Sequence, residues 1–352
     1  MKLIGYANAD DLAGMTQQDV NALDVINIAF GKVCENQVVW NGEPYREALA
    51  RIRERKPSVR ILLSVGGWSA DGFSQAAMTQ EGRESFAKSG AGVVREYGLD
   101  GIDIDWEYPG SSLAGIHSHA DDRDNFTKLL AQLRQELPAP RMVTIAAGGD
   151  TYFALQTDMK AASEYLDYVQ LMTYDLQGGF QKVTGHHSAL YSAPGNLFDV
   201  SVDKAVRVFM NAGVPAGKLV LGIPFYSRMW KGVKSLDAEG KPLQTGNVRT
   251  PGLGLEAETI GMYGPDYTGL ANDCIEKNGF TRYWDDAAKA PYLYDGSCFI
   301  TYEDAQSIRC KICYAKETGL FGAMFWELRC DKTGTLLPAV REAMDADERG
   351  TV

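Results

Sequence analysis

Asp103, Asp105 and Glu107 stand at alternate positions in the run Asp100-Gly101-Ile102-Asp103-Ile104-Asp105-Trp106-Glu107-Tyr108-Pro109. Successive side chains of an extended strand point to opposite faces. The three acids therefore share one face, and Ile102, Ile104 and Trp106 share the other. A parallel strand covered by helices takes apolar residues on both faces, so packing does not account for carboxylates in line. Buried ionised groups without partners are costly and shift their pKa values instead. The chemistry that needs such a row is proton transfer at the strand's end. Two other readings fit less well. A solvated face would tolerate the acids, yet the Ile, Ile, Trp face and the flanking Gly and Pro suit an interior strand. A calcium loop also spaces acids at alternate positions, but it needs a glycine-rich bend at its centre, where Ile104 and Trp106 stand.

The elements that must hold this run alternate along the chain. Strand patterns cover residues 2–6, 25–30, 60–65, 101–106, 142–147, 168–173, 219–225 and 322–326. Helical patterns cover 17–23, 43–55, 81–97, 121–136, 154–165, 202–212, 303–318 and 337–345. Strand and helix in alternation with right-handed crossovers give a parallel sheet. Eight repeats point to an α/β fold of the (β/α)8 TIM barrel type. An open doubly wound sheet would carry a glycine-rich phosphate loop after its first strand, and Gly5-Tyr6-Ala7-Asn8 is not one. Nearly all of the long gap between strands seven and eight is too long for a structureless loop. It implies a small α+β insertion domain over 230–300, between strand seven and helix seven, walling the substrate cleft. The barrel then comprises 1–229 and 301–352. The acidic tail Asp345-Ala346-Asp347-Glu348-Arg349 reads as a solvated terminus.

Composition narrows the partners. A net charge of −11 over 352 residues argues against nucleic acid or an anionic membrane surface and suits a neutral ligand; a monomer is expected. No apolar run approaches the roughly 20 residues of a membrane span. Met1-Lys2 leads directly into Leu3-Ile4-Gly5-Tyr6, a first strand rather than a signal peptide,. The expectation is a cytoplasmic protein, or a secreted one whose leader has been removed. The scattered cysteines do not form a dense disulfide framework. Cys310 and Cys313 make a CxxC pair, but no second pair or His completes a zinc site,. They read as structural thiols. No metal and no cofactor is expected, because His117, His119, His186 and His187 all lie outside the strand ends.

Barrel active sites lie at the C-terminal ends of the strands. Those ends here carry Tyr6, Phe30, Trp68, Met172, Tyr174, Tyr226 and Trp326, with acids and Arg228 between them. Aromatic rings also dominate cores, so any one ring is ambiguous. Taken together with the acid row, the rings describe a sugar-binding cleft.

Four motifs carry a resemblance to family 18 glycoside hydrolases. Asp100 to Glu107 resembles the signature Asp-x-x-Asp-x-Asp-x-Glu, and its extension Trp106-Glu107-Tyr108-Pro109 is similar to the chitinase branch. Ser64-Val65-Gly66-Gly67 resembles the Ser-x-Gly-Gly signature, and Met172-Thr173-Tyr174-Asp175 resembles Met-x-Tyr-Asp. Gly222 to Arg228 resembles Gly-x-Pro-Phe-Tyr-Gly-Arg, with Ser227 in place of the second glycine. The likeness extends over nearly the whole chain, insertion included. It implies hydrolysis of β-1,4 linkages between N-acetylglucosamine units in chitin or chito-oligosaccharides. The main acids share one strand, whereas the usual retaining pair flanks the scissile bond about 5–5.5 Å apart. The resemblance implies that the substrate's 2-acetamido oxygen is the nucleophile, through an oxazolinium intermediate and with retention.

The resemblance also implies roles. Glu107 is the general acid and base and needs a raised pKa. Asp105 orients the acetamido N–H, and Asp103 shares a proton with it. Tyr174 donates to the acetamido oxygen, and Trp326 floors the distorted sugar. Asp175 and Arg228 hydrogen-bond that sugar, Met172 lines its pocket, and Tyr6, Phe30, Trp68 and Tyr226 complete the substrate contacts. Phe180 stands where a Trp is common on the leaving-group side, and Ala7-Asn8 replace a further aromatic. The reduced stacking surface points toward soluble oligomers. The alternatives are a hydrolase for another N-acetylglucosamine glycan, such as a peptidoglycan fragment or N-glycan core, and a non-catalytic chitin-binding lectin. The lectin reading sits poorly with the presence of Glu107.

Overall fold

Eight parallel strands close on themselves in the computed structural model, which describes residues 1–193, 198–235 and 250–346. They are β1 (Lys2–Asn8), β2 (Val25–Cys34), β3 (Arg60–Gly66), β4 (Gly101–Asp105), β5 (Met142–Gly148), β6 (Tyr168–Met172), β7 (Leu219–Pro224) and β8 (Gly322–Trp326). Neighbours in space follow chain order, and β1 also pairs with β2, so the barrel has no open edge. Each strand falls where the apolar runs placed it. β2 continues further than its pattern suggested and forms a short hairpin with Gln37–Val39.

Local chemistry sets the helix limits. Thr79 caps the helix Gln80–Tyr97 by accepting from the Gly82 N–H, and Gly98 ends it at φ +65°, the left-handed conformation glycine adopts without strain. The single helix expected over 154–165 is instead two short ones, Thr151–Leu155 and Met159–Ser163. Asp150 accepts from the Phe153 N–H, and Asp158 accepts from the Ala161 N–H. Two N-caps in succession start two helices, and Thr157 folds back on the Phe153 carbonyl between them.

The described residues fall into two compact units. The first comprises 1–172, 206–221 and 319–324, and holds most of the barrel strands with the helices that follow β2, β3 and β4. The second comprises 173–205 and 222–318 and continues from 325. It contains a five-stranded antiparallel sheet in the order Met262–Asp266, Tyr226–Lys231, Cys298–Thr301, Ala290–Tyr294, Thr281–Asp285. Trp230, Leu253, Leu255, Tyr292 and Phe299 form its apolar core. The stretch 236–249 of the expected insertion, and Asp347, Glu348 and Arg349 of the acidic tail, lie outside the described residues. Among the described residues, no helix is long and apolar enough to cross a membrane.

Candidate active site

Asp103 is the middle residue of β4, level with Ser64 of β3 and Thr144 of β5. That register brings hydroxyl donors to it from both sides. Asp103 Oδ2 accepts from Ser64 Oγ at 2.8 Å and from the Tyr6 hydroxyl at 2.8 Å. Oδ1 accepts from Thr144 Oγ1 at 2.7 Å and from Gln170 Nε2 at 2.8 Å. Gln170 is fixed in turn, its Oε1 accepting from Asn27 Nδ2 at 2.9 Å. Two carboxylate oxygens offer about four lone-pair sites, and all four are taken. Burial raises the pKa of Asp103, and the four donors work against that rise. A barrel interior is ordinarily packed with branched aliphatics. Here Asn27, Ser64, Asp103, Thr144 and Gln170 form a buried polar network instead.

Asp105, one layer higher, has the opposite environment. It is 4% exposed, and its Oδ1 has no hydrogen-bond partner. Burial, then the charge of Glu107, then the charge of Asp103, push its pKa well above the usual carboxylate range. Both buried acids are thus pushed toward holding a proton, Asp105 with an unpartnered oxygen and Asp103 with four donors opposing the rise.

This arrangement sets a sign for stability against pH. An unfolded Asp releases its proton near pH 3.9, while folded Asp105 keeps it to higher pH. Above that point the native state binds more protons than the unfolded state, so stability falls as pH rises through the folded pKa. Asp105→Asn removes this dependence. It is expected to raise stability by about 1–2 kcal/mol at pH 8, with a smaller gain at pH 5, by urea denaturation. A variant less stable than wild type at pH 8 would contradict the assignment.

Glu107 lies two residues beyond the end of β4, at 9% exposure. Its neighbour Tyr108 is hydrogen-bonded to it, and burial followed by the Glu107 charge raises the Tyr108 pKa strongly. The Tyr108 ring stands edge-on to Trp68 and to Phe153, at 6.4 and 6.0 Å between centroids. Trp68 is 54% exposed, an open ring beside Tyr108. Two glycines let β3 end this close. At Gly66 a Cβ would sit 1.9 Å from the Asp105 carbonyl oxygen, and φ is +123°. At Gly67 a Cβ would meet the Phe30 ring at 2.9 Å, and its N–H donates to that same Asp105 carbonyl. Trp106 is buried on the opposite face, against helix residues Phe73 and Phe126. Asp100 is structural: Arg53, Arg60 and the Ile61 N–H all donate to it.

The second unit gathers a different set. Asp175 follows Tyr174 with φ +55°. Its Oδ1 accepts from Arg228 Nε at 2.7 Å and lies 3.5 Å from His187 Nδ1. Burial alone would raise the Asp175 pKa, but His187 and Arg228 hold it well below the ordinary range. Burial lowers the pKa of His187 in turn. The Arg228 guanidinium lies 3.8 Å over the Tyr263 ring and donates to the Gly261 carbonyl. Tyr226 is buried among Tyr174, His187 and Tyr263, with centroids 5.5–6.0 Å apart. The backbone carbonyl of Trp326 accepts from the Phe225 N–H.

Of the residues expected from sequence, Glu107, Asp105, Asp103, Tyr6, Phe30, Trp68 and Met172 belong to the first unit. Tyr174, Asp175, Tyr226, Arg228 and Trp326 belong to the second. Tyr6 is 1% exposed with its hydroxyl committed to Asp103, which makes it part of the support beneath the acids. Thr144, Asn27 and Tyr263 were not singled out from sequence, and His187 was named there only as a histidine outside the strand ends. Among the described residues, no group of three His, Cys, Asp or Glu side chains is placed to hold a metal ion. All six cysteines are free thiols.

Residues 2–331 match the glycosyl hydrolases family 18. The chain is 38% identical to chitinase A1 of Niallia circulans over 82% of its own length, but spans only 43% of that protein. It is 32% identical to chitinase B of Serratia marcescens, with 95% of this chain and 79% of that protein covered. Among solved structures, a family 18 N-acetylglucosaminidase from Paenibacillus barengoltzii superposes with a TM-score of 0.91 at 46% identity, covering 97% of this chain and 99% of that one. A class V chitinase from Nicotiana tobaccum, solved with NAG4, superposes with a TM-score of 0.81 at 25% identity, covering 98% and 99%. The chain belongs to family 18 of the glycosyl hydrolases.

Proposed function

We propose that this enzyme hydrolyses β-1,4 bonds between N-acetylglucosamine units of chito-oligosaccharides, with retention and with the substrate's own acetamido group as nucleophile. The observation that carries the reading is Asp105, buried and with one oxygen unpartnered, beside Glu107. A neutral carboxyl there can turn to the acetamido N–H without bringing a second charge into the site. In the first step Glu107 gives its proton to the glycosidic oxygen as the C1–O bond breaks. The acetamido carbonyl oxygen bonds to C1 and forms the oxazolinium ion. Tyr174 donates to that oxygen and Asp105 holds the N–H. In the second step water adds to C1, its proton passes to Glu107, and the bond from C1 to the acetamido oxygen breaks to restore the acetamide. Two inversions leave the β configuration. Holding an internal nucleophile in place can account for several kcal/mol of the barrier, on the order seen in well-oriented intramolecular reactions. No step calls on a metal or cofactor.

Trp68 and Trp326 serve as sugar platforms, and Met172, Asp175, Arg228, Phe30 and Tyr226 supply the other sugar contacts. The enzyme works as a monomer on soluble, neutral oligomers. A second reading, release of single N-acetylglucosamine units from a chain end, is favoured by the 46% identity to the Paenibacillus N-acetylglucosaminidase. A timed product profile over chitin oligomers, a peptidoglycan fragment and a high-mannose glycan tests both. Cleavage of the chitin oligomers is expected. Monomer alone as the first product selects the second reading, and cleavage of only the other two glycans would refute the substrate class.

A further inference from the structure

Lys311 is a buried cation outside the acid row. It lies on the helix Ala305–Thr318 with its side chain 0% exposed. Nζ donates to Glu303 Oε1 at 2.5 Å and to Ser188 Oγ at 2.7 Å. The other oxygen of Glu303 accepts from Ser307 Oγ at 2.7 Å. A buried ion pair is a poor source of stability, because desolvation offsets the Coulomb gain and apolar residues of similar volume often do as well. Burial lowers the Lys311 pKa, with Glu303 opposing, as that cost predicts. The pair is better explained by what it fixes.

Ser188 is the link. It accepts from Lys311 and donates its own proton to the Thr173 carbonyl at 2.7 Å. The Thr173 hydroxyl donates to the Gly222 carbonyl at 2.7 Å and accepts from the Gly222 N–H at 2.9 Å. The residue before Ser188 grips the same stretch further on. The His187 carbonyl accepts from the Leu176 N–H, and Nδ1 lies 3.5 Å from Asp175. Residues 187 and 188 thus bracket Tyr174 and Asp175 on both sides. A left-handed φ at Asp175 is held only where the surroundings over-determine it.

We propose that Lys311 is a positioning residue, which fixes the Thr173 carbonyl through Ser188 and thereby sets the aim of Tyr174. This rests on the reading of Tyr174 as the donor to the acetamido oxygen. Lys311→Met alone would strand the Glu303 charge, so the test uses Lys311→Met/Glu303→Leu, together with Ser188→Ala, each in the wild-type and Tyr174→Phe backgrounds. On a chito-oligosaccharide, kcat is expected to fall about 10–100-fold, the scale of a displacement near 1 Å, with KM within about threefold. In the Tyr174→Phe background the same change should cost under about twofold, since residues acting as a unit are non-additive. Equal falls in both backgrounds would mean a merely structural role and overturn the proposal. Should the double variant fail to fold, Ser188→Ala decides by the same comparison. Ser188→Ala at full rate beside a slow Tyr174→Phe refutes the role of Lys311 alone. Tyr174→Phe at full rate refutes the reading of Tyr174 and this inference with it.

Discussion

Glu107→Gln is expected to bind chito-oligosaccharides and to cleave them ~10³-fold more slowly or worse, within the range general acid–base catalysis supplies. The amide keeps the shape of the carboxyl and can still accept from Tyr108, whose hydroxyl is hydrogen-bonded to Glu107. It cannot give a proton to the leaving oxygen, and it cannot take one from water. Both steps of the proposed route are therefore hit by one change. The loss should appear in kcat with KM little altered, because proton transfer is made only in the transition state. An aryl glycoside with an acidic leaving group should suffer much less in its first step, since that oxygen departs without protonation. The charge of Glu107 is also one of the causes that raise the Asp105 pKa. Removing it lowers that pKa, so the variant should be folded and no less stable than wild type near neutral pH. Near-wild-type turnover on chito-oligosaccharides would sink the assignment of Glu107.

The acid row was legible because it depends only on local alternation. Gly101 to Asp105 is a strand, and a period of two places Asp103 and Asp105 on one side whatever the rest of the chain does. The Ser-x-Gly-Gly ending of β3 was legible as a motif, but its reason was not. That reason is the 1.9 Å between a Gly66 Cβ and the Asp105 carbonyl oxygen, which exists only once β3 and β4 are paired in register. The same limit explains Thr144 and Asn27. Each looks like an ordinary strand residue until the register aligns Thr144 with Asp103 and Gln170 bridges Asn27 to the same carboxylate. Two adjacent acids suggest a shared proton from sequence alone, but the four donors around Asp103 come from four other strands and are not visible there. The pair of helices at 151–163 was a misreading of a different kind. Asp150 and Asp158 are both N-cap residues by type, and the apolar period across them outweighed the caps.

Chito-oligosaccharides carrying a free amine on the sugar whose C1 is attacked are expected to be refractory, with kcat/KM at least ~10³-fold below that of the N-acetylated substrate. Loss of a well-placed internal nucleophile alone can remove several kcal/mol, and each 1.36 kcal/mol is a factor of ten in rate. The alternative is a carboxylate nucleophile of the enzyme, which a retaining site places about 5–5.5 Å from the acid, across the scissile bond. The environments of the nearby acids argue against it. Asp103 is fully buried and saturated by four donors. Burial and its two acidic neighbours raise the pKa of Asp105 well above the usual carboxylate range, and a protonated carboxyl is a poor nucleophile. A stable cyclic thiazoline analogue of the oxazolinium ion should bind wild type tightly, and both Asp105→Asn and Tyr174→Phe should weaken that binding. If the de-N-acetylated oligomer is cleaved at a comparable rate, the assisted mechanism is refuted while the barrel, the family and the role of Glu107 stand. If it is inert and the thiazoline binds, the attacking atom belongs to the sugar, and the protein's part is to aim it and to move one proton.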